Sequence, residues 1–188
     1  MAQESDAEAL LAIYSHYVTN TPITFEYEIP NPDEFIKRIR EINSEYPYLV
    51  CSADEKIVGY AYAHRYKERA AYQWSAELSV YLDKDSVGLG IGSALYAALI
   101  EILKIQNVQS IYGGVTSPNE NSEKLHKKMG FVLIGTQHKV GYKNNRWHDV
   151  MLFEKHIGNH DPEPSQFQKI ECIDKAILDS ILENSIRK

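Results

Sequence analysis

Hydrophobic residues follow two different spacings along the chain, and each spacing predicts a different element. A spacing of three or four residues is typical of a helix that packs one face on a core, and it runs over 6–18, 32–45, 93–104 and 117–130. Alternating or continuous apolar runs are typical of strands, and they run over 48–54, 56–66, 74–82, 109–116, 131–142 and 147–157. The order of these elements predicts an α/β fold in which helices flank a mixed, mostly antiparallel central sheet.

The C-terminal part of the chain has a different character. Residues 158–166 are polar and contain prolines, which is typical of a linker. Residues 167–187 carry isoleucines at helical spacing, with acidic residues between them. These isoleucines are Ile170, Ile173, Ile177 and Ile181. We therefore predict one domain over residues 1–157, followed over residues 158–188 by the linker and an extra C-terminal amphipathic helix.

Composition narrows the class of protein. The 188 residues contain 20 Lys and Arg against 26 Asp and Glu, and the formal charge of −6 argues against a protein that binds nucleic acid along a basic surface. No basic stretch precedes an apolar one near residue 1, and no segment reaches the roughly 20 apolar residues that span a membrane. We therefore expect a cytoplasmic protein without a membrane partner. Cys51 and Cys172 have no partners at metal-ligand spacing, and we expect both to be small buried side chains.

The stretch VGLGIGSAL, residues 87–95, places glycines at every second position directly before a predicted helix. Backbone N–H groups near Gly88, Gly90 and Gly92 would point at one anion, together with the positive end of the helix dipole. The stretch lacks the Gly-Lys-Ser/Thr ending of a Walker loop and the G-x-G-x-x-G spacing of a dinucleotide-binding fold. It predicts a phosphate site, and a tight structural turn without a ligand is the alternative.

Three segments, ELSVYL, VGLGIGSALY and N-x-x-S-x-x-LHKKMGF, together resemble the core of the Gcn5-related N-acetyltransferase (GNAT) superfamily. Its pattern Q/R-x-x-G-x-G/A is matched at Gly90 and Gly92 and departs at Val87, which removes one side-chain contact and leaves the backbone amides. YPYLV, GYAYAHRYKERAAYQWSAELSVYL and GYKNNRWHDV resemble the phosphinothricin and methionine sulfoximine acetyltransferase branch, over residues 4–156. The resemblance implies a GNAT-type sheet and acetyl-CoA as co-substrate, without a metal. We also expect a homodimer.

The resemblance further implies where the chemistry lies. Glu77, on the strand before the glycines, would be the base that takes a proton from the amine, directly or through a water; on spacing alone, a solvent-facing glutamate is the more common reading. A backbone N–H near Val80 would donate to the acetyl oxygen as negative charge develops, and Tyr81 and Leu82 would pair with the pantetheine arm as a strand does. The residues implied for cofactor binding are Val80, Tyr81, Leu82, Gly88, Leu89, Gly90, Ile91, Gly92, Ser93 and Asn121.

Two cations, Lys67 and Arg69, lie just before the strand of Glu77, and Tyr72 follows them. They could bind an anionic amino-acid analogue, because Arg offers paired donors to a carboxylate or phosphinate; the alternative is a solvated loop. The branch places substrate-binding residues at these positions and pocket-lining aromatic residues at Phe25, Tyr62 and Tyr81, whose alternative is plain core packing. The residues implied for substrate binding are Lys67, Arg69, Tyr72, Phe25 and Tyr62.

Polar side chains near the end of the predicted domain are weaker candidates for a catalytic role. His126 occupies the position at which many relatives carry a general-acid tyrosine, although a lone histidine on a helix is more often structural. His148 and Asp149 could orient the substrate or the base. Close relatives carry a histidine at the position of Asn144, and its absence here weakens a proton relay through this hairpin.

These inferences predict an acetyl-CoA-dependent N-acetyltransferase that acts on the amino group of a small amino-acid analogue. Phosphinothricin, methionine sulfoximine and methionine sulfone are the implied acceptors. One alternative is the same fold acting on another amine, such as another amino acid, a polyamine or a protein N-terminus, although Lys67 and Arg69 argue against a polycation. Another alternative is a non-catalytic sensor of acyl-CoA.

Overall fold

The computed structural model describes residues 1–186, and these residues form five α-helices and six strands. The helices are α1 (Ala7–Asn20), α2 (Pro32–Asn43), α3 (Ile91–Ile105), α4 (Glu120–Lys128) and α5 (Lys175–Ile186). The strands are β1 (Tyr48–Ala53), β2 (Lys56–Arg65), β3 (Ser75–Leu82), β4 (Ser110–Ser117), β5 (Val132–Lys143) and β6 (Arg146–His156). Short 3₁₀ turns lie at Glu4–Asp6, Ala70–Tyr72, Lys84–Ser86 and Ile170–Cys172. This succession confirms the predicted order of helices and strands.

The strands form one six-stranded sheet in the order β1-β2-β3-β4-β6-β5. Every neighbouring pair among these strands is antiparallel except β3 and β4, which are parallel. The predicted mixed, mostly antiparallel sheet is therefore confirmed. The parallel pairing is short: Ser75–Glu77 lies beside Ser110–Tyr112, and the two strands part beyond these residues.

Helices cover both faces of the sheet. α1 and α2 pack on one face in a cluster rich in tyrosine, which includes Tyr14, Tyr48 and Tyr60. α3 packs on the other face, where Leu99 and Ile102 are fully buried. α5 lies against the outer side of α3, which explains why α3 is apolar around most of its circumference.

Two tight turns set the registers of the β1–β2 and β5–β6 hairpins. Asp54 and Glu55 have φ of 48° and 64°, and Asn144 and Asn145 have φ of 51° and 59°. Positive φ at both central residues is the type I′ turn that matches the twist of paired strands, and Asn tolerates it better than most residues do. Asn144 is thus explained by the turn that it forms.

Two differences from the predicted helix starts affect the glycine turn and the C-terminal segment. α3 begins at Ile91, two residues before the predicted start, so Gly92 lies inside its first turn. α5 begins at Lys175, eight residues after the predicted start. Asp174 precedes it, and its carboxylate accepts the amide of Ala176 at 2.7 Å, as N-terminal capping residues do.

Residues 167–174 do not join α5, because their backbone bonds to the rest of the domain. The amide of Gln168 donates to the carbonyl of Gln106 at 3.0 Å, and the amide of Ile170 donates to the carbonyl of Glu45 at 3.0 Å. The buried Gln106 side chain also donates to the carbonyls of Glu45 and Gln168. These bonds replace the helical bonds that the isoleucine spacing predicts.

The side chains of this segment correct two further predictions. Ile170 and Ile173 are buried in the core beneath α3, whereas Ile177 is exposed, so the isoleucines do not form one helix face. Cys172 is exposed and Cys51 is half-buried, and both are free thiols, so neither is the fully buried side chain that was expected. The segment shares the core of the preceding residues, and a boundary at residue 157 stays a prediction.

Candidate active site

The turn between β3 and α3 is built from backbone. Gly88 and Gly90 both have φ of +86°, where a residue with a Cβ is strained. Apart from each glycine and its neighbours in the chain, no atom of the described residues lies within 4 Å of where a Cβ on either glycine would be. Gly90 is the N-cap of α3, and its carbonyl accepts the amide of Ala94 at 3.1 Å. The amides of residues 91–93 therefore have no carbonyl of the helix to bond to. They are free hydrogen-bond donors at the N-terminal end of α3, which is the positive end of the helix dipole.

Gly92 serves a different purpose from the two glycines before it. A Cβ at this position would lie 3.4 Å from Leu125 of α4 and 3.7 Å from Leu82 of β3. The missing side chain therefore lets α3 begin in close contact with both elements. Val87 and Leu89, on the turn itself, are exposed, so the turn is held by its backbone and by packing at Gly92.

A cavity of about 1300 Å³ begins at this turn and continues along α3. One of its walls belongs to α5, and another belongs to β1. The residues that line the cavity at the turn and the start of α3 include Leu89, Gly90, Ile91 and Ser93. Those from α5 include Leu182 and Ser185. The C-terminal helix therefore contributes to the space beside the glycine turn.

β3 leaves β4 directly after Glu77, the last residue of β3 that pairs with β4. Residues 78–82 stay paired with β2 on their other side, and on the β4 side they meet no strand within residues 1–186. Val80 and Leu82 pack toward α3, whereas Tyr81 packs into the tyrosine-rich cluster beneath α1. The open edge presents backbone N–H and C=O groups with which an extended molecule can pair.

Glu77 lies over the start of this gap. Its Oε1 is 3.5 Å from where a Cβ on Gly114 would be, so the carboxylate reaches across from β3 to β4. The residue is half-buried and shares a sheet face with His64 and Tyr112, its register partners on the two neighbouring strands. A half-buried carboxylate with free space beside it can accept a proton from a group held in the gap.

Two buried side chains support the gap from the α3 face. The hydroxyl of Tyr96 donates to the carbonyl of Leu78 at 3.4 Å, one residue beyond the parallel pairing. His126 is 2% exposed, and its Nδ1–H donates to the carbonyl of Ser122 at 2.8 Å. Its Nε2 has no hydrogen-bond partner among the described residues and lies against Gly113, where a Cβ would be 2.3 Å away.

Burial lowers the pKa of His126. With the ring proton on Nδ1, Nε2 has no proton to donate at neutral pH. The geometry therefore favours the structural role of His126 over the general-acid role.

Lys67 lies in an aromatic group beside Glu77, here called the Tyr66 cluster and consisting of Tyr66, Lys67, Tyr72 and Tyr112. The Nζ of Lys67 is 5.0 Å from the ring centroids of Tyr66 and Tyr72, within the range of a cation–π interaction. Tyr66 stacks on Tyr112 with centroids 4.0 Å apart and an interplanar angle of 14°. Since Tyr112 is the register partner of Glu77, the cluster borders the carboxylate.

The other predicted substrate residues are spread more widely. Arg69 is exposed in the loop after Lys67, and no ion pair joins it to another of the residues 1–186. Tyr62 belongs to the tyrosine-rich cluster beneath α1 and α2. Phe25 lies over the β5–β6 hairpin, where a Cβ on Gly141 would overlap its ring at 2.2 Å. Phe25 and Tyr62 therefore lie over different strands of the sheet.

His148 and Asp149 are both bonded within the β5–β6 hairpin. The Nε2–H of the buried His148 donates to the carbonyl of Lys143 at 3.0 Å. The carboxylate of Asp149 accepts the amide of Lys139 at 2.8 Å and lies 2.9 Å from Nδ1 of His138. These contacts shape the hairpin, and they favour a structural role for both residues.

Asn119, rather than Asn121, caps α4. The Oδ1 of Asn119 accepts the amide of Ser122 at 3.1 Å. Asn121 lies in the first turn of the helix with its side chain exposed. The capping alternative for Asn121 is thereby removed, and its contact with a cofactor stays a prediction.

Sequence reasoning missed Tyr66, Tyr112 and Gly114. Strand alternation along β2 puts Tyr66 on the face of Tyr62 and His64, so a signal for it was present in the sequence. No local signal marks Tyr112 or Gly114, because their place beside Glu77 depends on the register of two distant segments.

Within residues 1–186, no group of three or more His, Cys, Asp and Glu side chains is arranged to hold a metal ion. Every helix in the described part of the chain falls short of the length or apolar character that crossing a bilayer requires.

A family model described as an acetyltransferase (GNAT) domain matches residues 1–152. The chain belongs to this family, and by class it is an N-acetyltransferase that depends on acetyl-CoA. This confirms the resemblance drawn from the glycine turn and the segments around it. The matched residues end before α5 begins.

Curated relatives narrow the branch. The chain is 33% identical over 154 residues to the phosphinothricin N-acetyltransferase of Streptomyces viridochromogenes, a match that covers 82% of this chain and 84% of that protein. It is 31% identical over 158 residues to the L-methionine sulfoximine/L-methionine sulfone acetyltransferase of Pseudomonas paraeruginosa, covering 81% and 90% of the two proteins. A crystal structure of the phosphinothricin acetyltransferase of Sinorhizobium meliloti in complex with acetyl-CoA matches with a TM-score of 0.84 at 29% identity, covering 87% and 90% of the two chains.

Proposed function

We propose that this chain transfers the acetyl group of acetyl-CoA to the α-amino group of a small amino-acid analogue. Methionine sulfoximine, methionine sulfone and phosphinothricin are the proposed acceptors, and relatives named for these compounds support the choice. The observation that carries the proposal is the position of Glu77. Its half-buried carboxylate lies where β3 and β4 part, on the strand that leads into the glycine turn.

The residues of the turn fit the diphosphate of coenzyme A. Gly88 and Gly90 keep open space above the turn, and the amides of residues 91–93 offer free donors. The open edge of β3, residues 78–82, offers backbone groups to the pantetheine arm. Asn121, exposed at the start of α4, is the side chain that we expect to add to these contacts. When bound, acetyl-CoA supplies the activated acetyl group as a thioester.

The acceptor amine must lose a proton before it can attack, because an α-amino group is largely protonated below its pKa of about 8. Glu77 accepts that proton directly or through one water, and the parting of β3 and β4 beyond Glu77 leaves room for the amine. A backbone N–H near Val80, on the open edge of β3, donates to the acetyl oxygen as it gains charge. Holding both reactants in the gap supplies proximity. As the new C–N bond forms, the C–S bond of the thioester breaks and coenzyme A leaves as a thiolate that takes a proton from the solvent.

Lys67 and Arg69 anchor the anionic end of the acceptor, with Tyr72 beside Lys67. The aromatic contacts of Lys67 involve the faces of Tyr66 and Tyr72. A cation–π interaction uses the charge of the ammonium and leaves its N–H donors available to a carboxylate. Phe25 and Tyr62 supply apolar surface on either side of the acceptor.

The test is release of free thiol from acetyl-CoA with a panel of amines, in the wild type and in Glu77→Gln. The panel is methionine sulfoximine, methionine sulfone, phosphinothricin, common amino acids and spermidine. Turnover with one of the first three that is lost in Glu77→Gln supports the proposal. Turnover only with another amine keeps the reaction and rejects these acceptors. Binding of acetyl-CoA without turnover of any amine supports a sensor of acyl-CoA instead.

We also propose that two copies pair along the β5–β6 hairpin, at the β5 edge of the sheet. β5 is an edge strand of the sheet, and edge strands with large apolar side chains are normally covered. The exposed apolar residues here are Val132, Leu133, Ile134, Val140, Tyr142 and Trp147. One edge strand can pair with its own copy around a two-fold axis.

Sedimentation equilibrium tests this surface. We expect a dimer for the wild type and a monomer for Trp147→Glu, since Trp147 is 59% exposed on this face. The matched control is Ile177→Glu, an exposed apolar residue of α5, which should leave the mass unchanged. A monomeric wild type, or a dimer that survives Trp147→Glu, contradicts the proposal.

A further inference from the structure

A second cavity, of about 250 Å³, lies between α2 and the first two strands, on the sheet face that carries Glu77. We call it the tyrosine cavity. Its walls are aromatic, and its polar residues come from α2 and β2. The principal lining residues are Tyr14, Arg38, Tyr48, Tyr60, Tyr62 and His64.

Two of these tyrosines are almost completely buried and have hydroxyls without partners. Tyr48 is 2% exposed and Tyr60 is 1% exposed. The hydroxyl of Tyr14 bonds to Oγ1 of Thr24 at 2.8 Å, whereas those of Tyr48 and Tyr60 bond to none of the residues 1–186. Neither hydroxyl oxygen is among the fully enclosed unpartnered polar atoms of the described residues. Both hydroxyls therefore reach the space of the cavity, where they can donate to an acceptor held there.

The cavity offers neutral donors and little net positive charge. Burial raises the pKa of Tyr14 to about 12 and places that of Tyr60 well above its usual value, so both hydroxyls keep their protons. The one guanidinium of the lining, Arg38, is 2.6 Å from Glu26 and 3.2 Å from Glu34. Because two carboxylates already neutralise Arg38, an anion gains little there. A neutral oxygen that accepts hydrogen bonds suits these walls better.

Strand register relates the cavity to the reaction site. His64 is the register partner of Glu77, and Tyr62 is the register partner of Ser79. Residues two apart on one strand are about 6.6 Å apart, so Tyr62 and Tyr60 extend from Glu77 in one direction along β2. The Tyr66 cluster, which holds Lys67, extends from Glu77 in the other direction.

This layout orients an amino acid that has its amine at Glu77. Its carboxylate lies toward Lys67, and its side chain lies across Tyr62 toward the tyrosine cavity. We propose that the tyrosine cavity binds the side chain of the acceptor, and that Tyr48 and Tyr60 donate hydrogen bonds to a neutral oxygen at its end. A sulfone or sulfoximine has such an oxygen, whereas a thioether has none and a phosphinate carries a charge. The inference rests on the proposed function and adds its acceptor specificity.

The test compares methionine sulfone with methionine in Tyr48→Phe, Tyr60→Phe and the double variant. These substitutions remove one oxygen and keep the ring, so the tyrosine-rich packing is preserved. The matched control is Tyr46→Phe, a buried tyrosine that packs on Phe167 in the other core cluster. The readouts are kcat and KM for each acceptor, with dissociation constants from calorimetry in the presence of coenzyme A.

For Tyr48→Phe and Tyr60→Phe, we expect the KM and dissociation constant of methionine sulfone to rise about tenfold each, the size of one hydrogen bond. The kcat with sulfone, and all constants for methionine, should stay within about twofold of the wild type. Tyr46→Phe should change nothing. Equal effects on sulfone and methionine, or no effect, overturn the proposal.

Calorimetry separates this proposal from the proposed function. If no amine is acetylated, the proposed function fails. Sulfone binding that weakens in Tyr60→Phe still supports the cavity in that case, and a wild type that does not bind sulfone more tightly than methionine overturns it.

Discussion

The cofactor side and the acceptor side of the candidate site are built in opposite ways. On the cofactor side, the turn proposed to bind the diphosphate uses the backbone of one continuous segment, residues 88–93, at the start of one helix. The acceptor side uses side chains from separate elements, including Glu77 of β3, Tyr112 of β4 and Lys67 of the loop after β2. The first depends on local conformation, and the second depends on strand register.

This difference has consequences for substitution. Leu89 on the turn is exposed, so other side chains there leave the backbone donors unchanged. On the acceptor side, each substitution changes a side chain that would contact the amine. We therefore expect changes on the acceptor side to alter which amine is used, and changes in the turn to alter acetyl-CoA affinity only through the backbone.

The largest expected effect separates the two sides at Glu77. In Glu77→Gln, kcat should fall by roughly 10²–10⁴-fold, the usual contribution of a general base. The dissociation constant of acetyl-CoA should be unchanged, because the carboxylate does not belong to the turn. Glu101→Gln, an exposed glutamate of α3, is the control and should behave as the wild type. If acetyl-CoA binding is lost together with turnover, the two sides are not independent.

A smaller effect is expected at Gly90 on the cofactor side. Gly90→Ala places a Cβ on a residue with φ of +86°, a strain of about 1–2 kcal/mol. We expect the KM of acetyl-CoA to rise about tenfold and the KM of the acceptor to stay constant. Gly135→Ala is the control, since its Cβ would also meet open space and its φ is not left-handed. If the KM of the acceptor rises and the KM of acetyl-CoA does not, Gly90 belongs to the acceptor side and the prediction is contradicted.

Tyr66 offers a similar comparison within the acceptor side. Tyr66→Leu removes the ring that lies beneath Lys67 and stacks on Tyr112. A cation–π interaction contributes about 0.5–1 kcal/mol at an exposed site, so the acceptor KM should rise about two- to fivefold. Tyr66→Phe keeps the ring and should restore wild-type values. An equal loss in both variants would show that the hydroxyl, rather than the ring, matters.

The smallest effect on activity is expected at His126. His126→Leu should keep kcat within an order of magnitude of the wild type at pH 8, whereas loss of a general acid costs roughly 10²-fold or more. Burial lowers the pKa of His126 below its usual 6.5. As the pH falls below that value, the unfolded chain takes up a proton that the folded chain resists, so the free energy of unfolding decreases. Denaturation at pH 7.5 and pH 5 should show a smaller decrease for His126→Leu; an equal decrease would contradict this role.

Much of the fold follows from local patterns. The gap between the predicted strands 131–142 and 147–157 indicated the β5–β6 turn, where Asn144 and Asn145 adopt the positive φ that asparagines tolerate. The glycine turn was also predictable, since its donors are backbone groups of neighbouring residues. The start of α5 was not, because the amides of Gln168 and Ile170 bond to carbonyls far away in the chain. Helical spacing describes what a segment can form alone, and here tertiary bonds outweigh it.

The sequence by itself determined the order of elements and the glycine turn, and its resemblance to a known family made Glu77 the candidate base. Only the tertiary structure decided what surrounds Glu77. The parting of β3 and β4, the approach of Glu77 to Gly114 and the place of Tyr112 all depend on pairing between distant segments. The same holds for the tyrosine cavity, whose walls come from two helices and two strands. The physical reason is that helix ends and tight turns depend on neighbouring residues, whereas a pocket depends on the register and packing of the whole sheet.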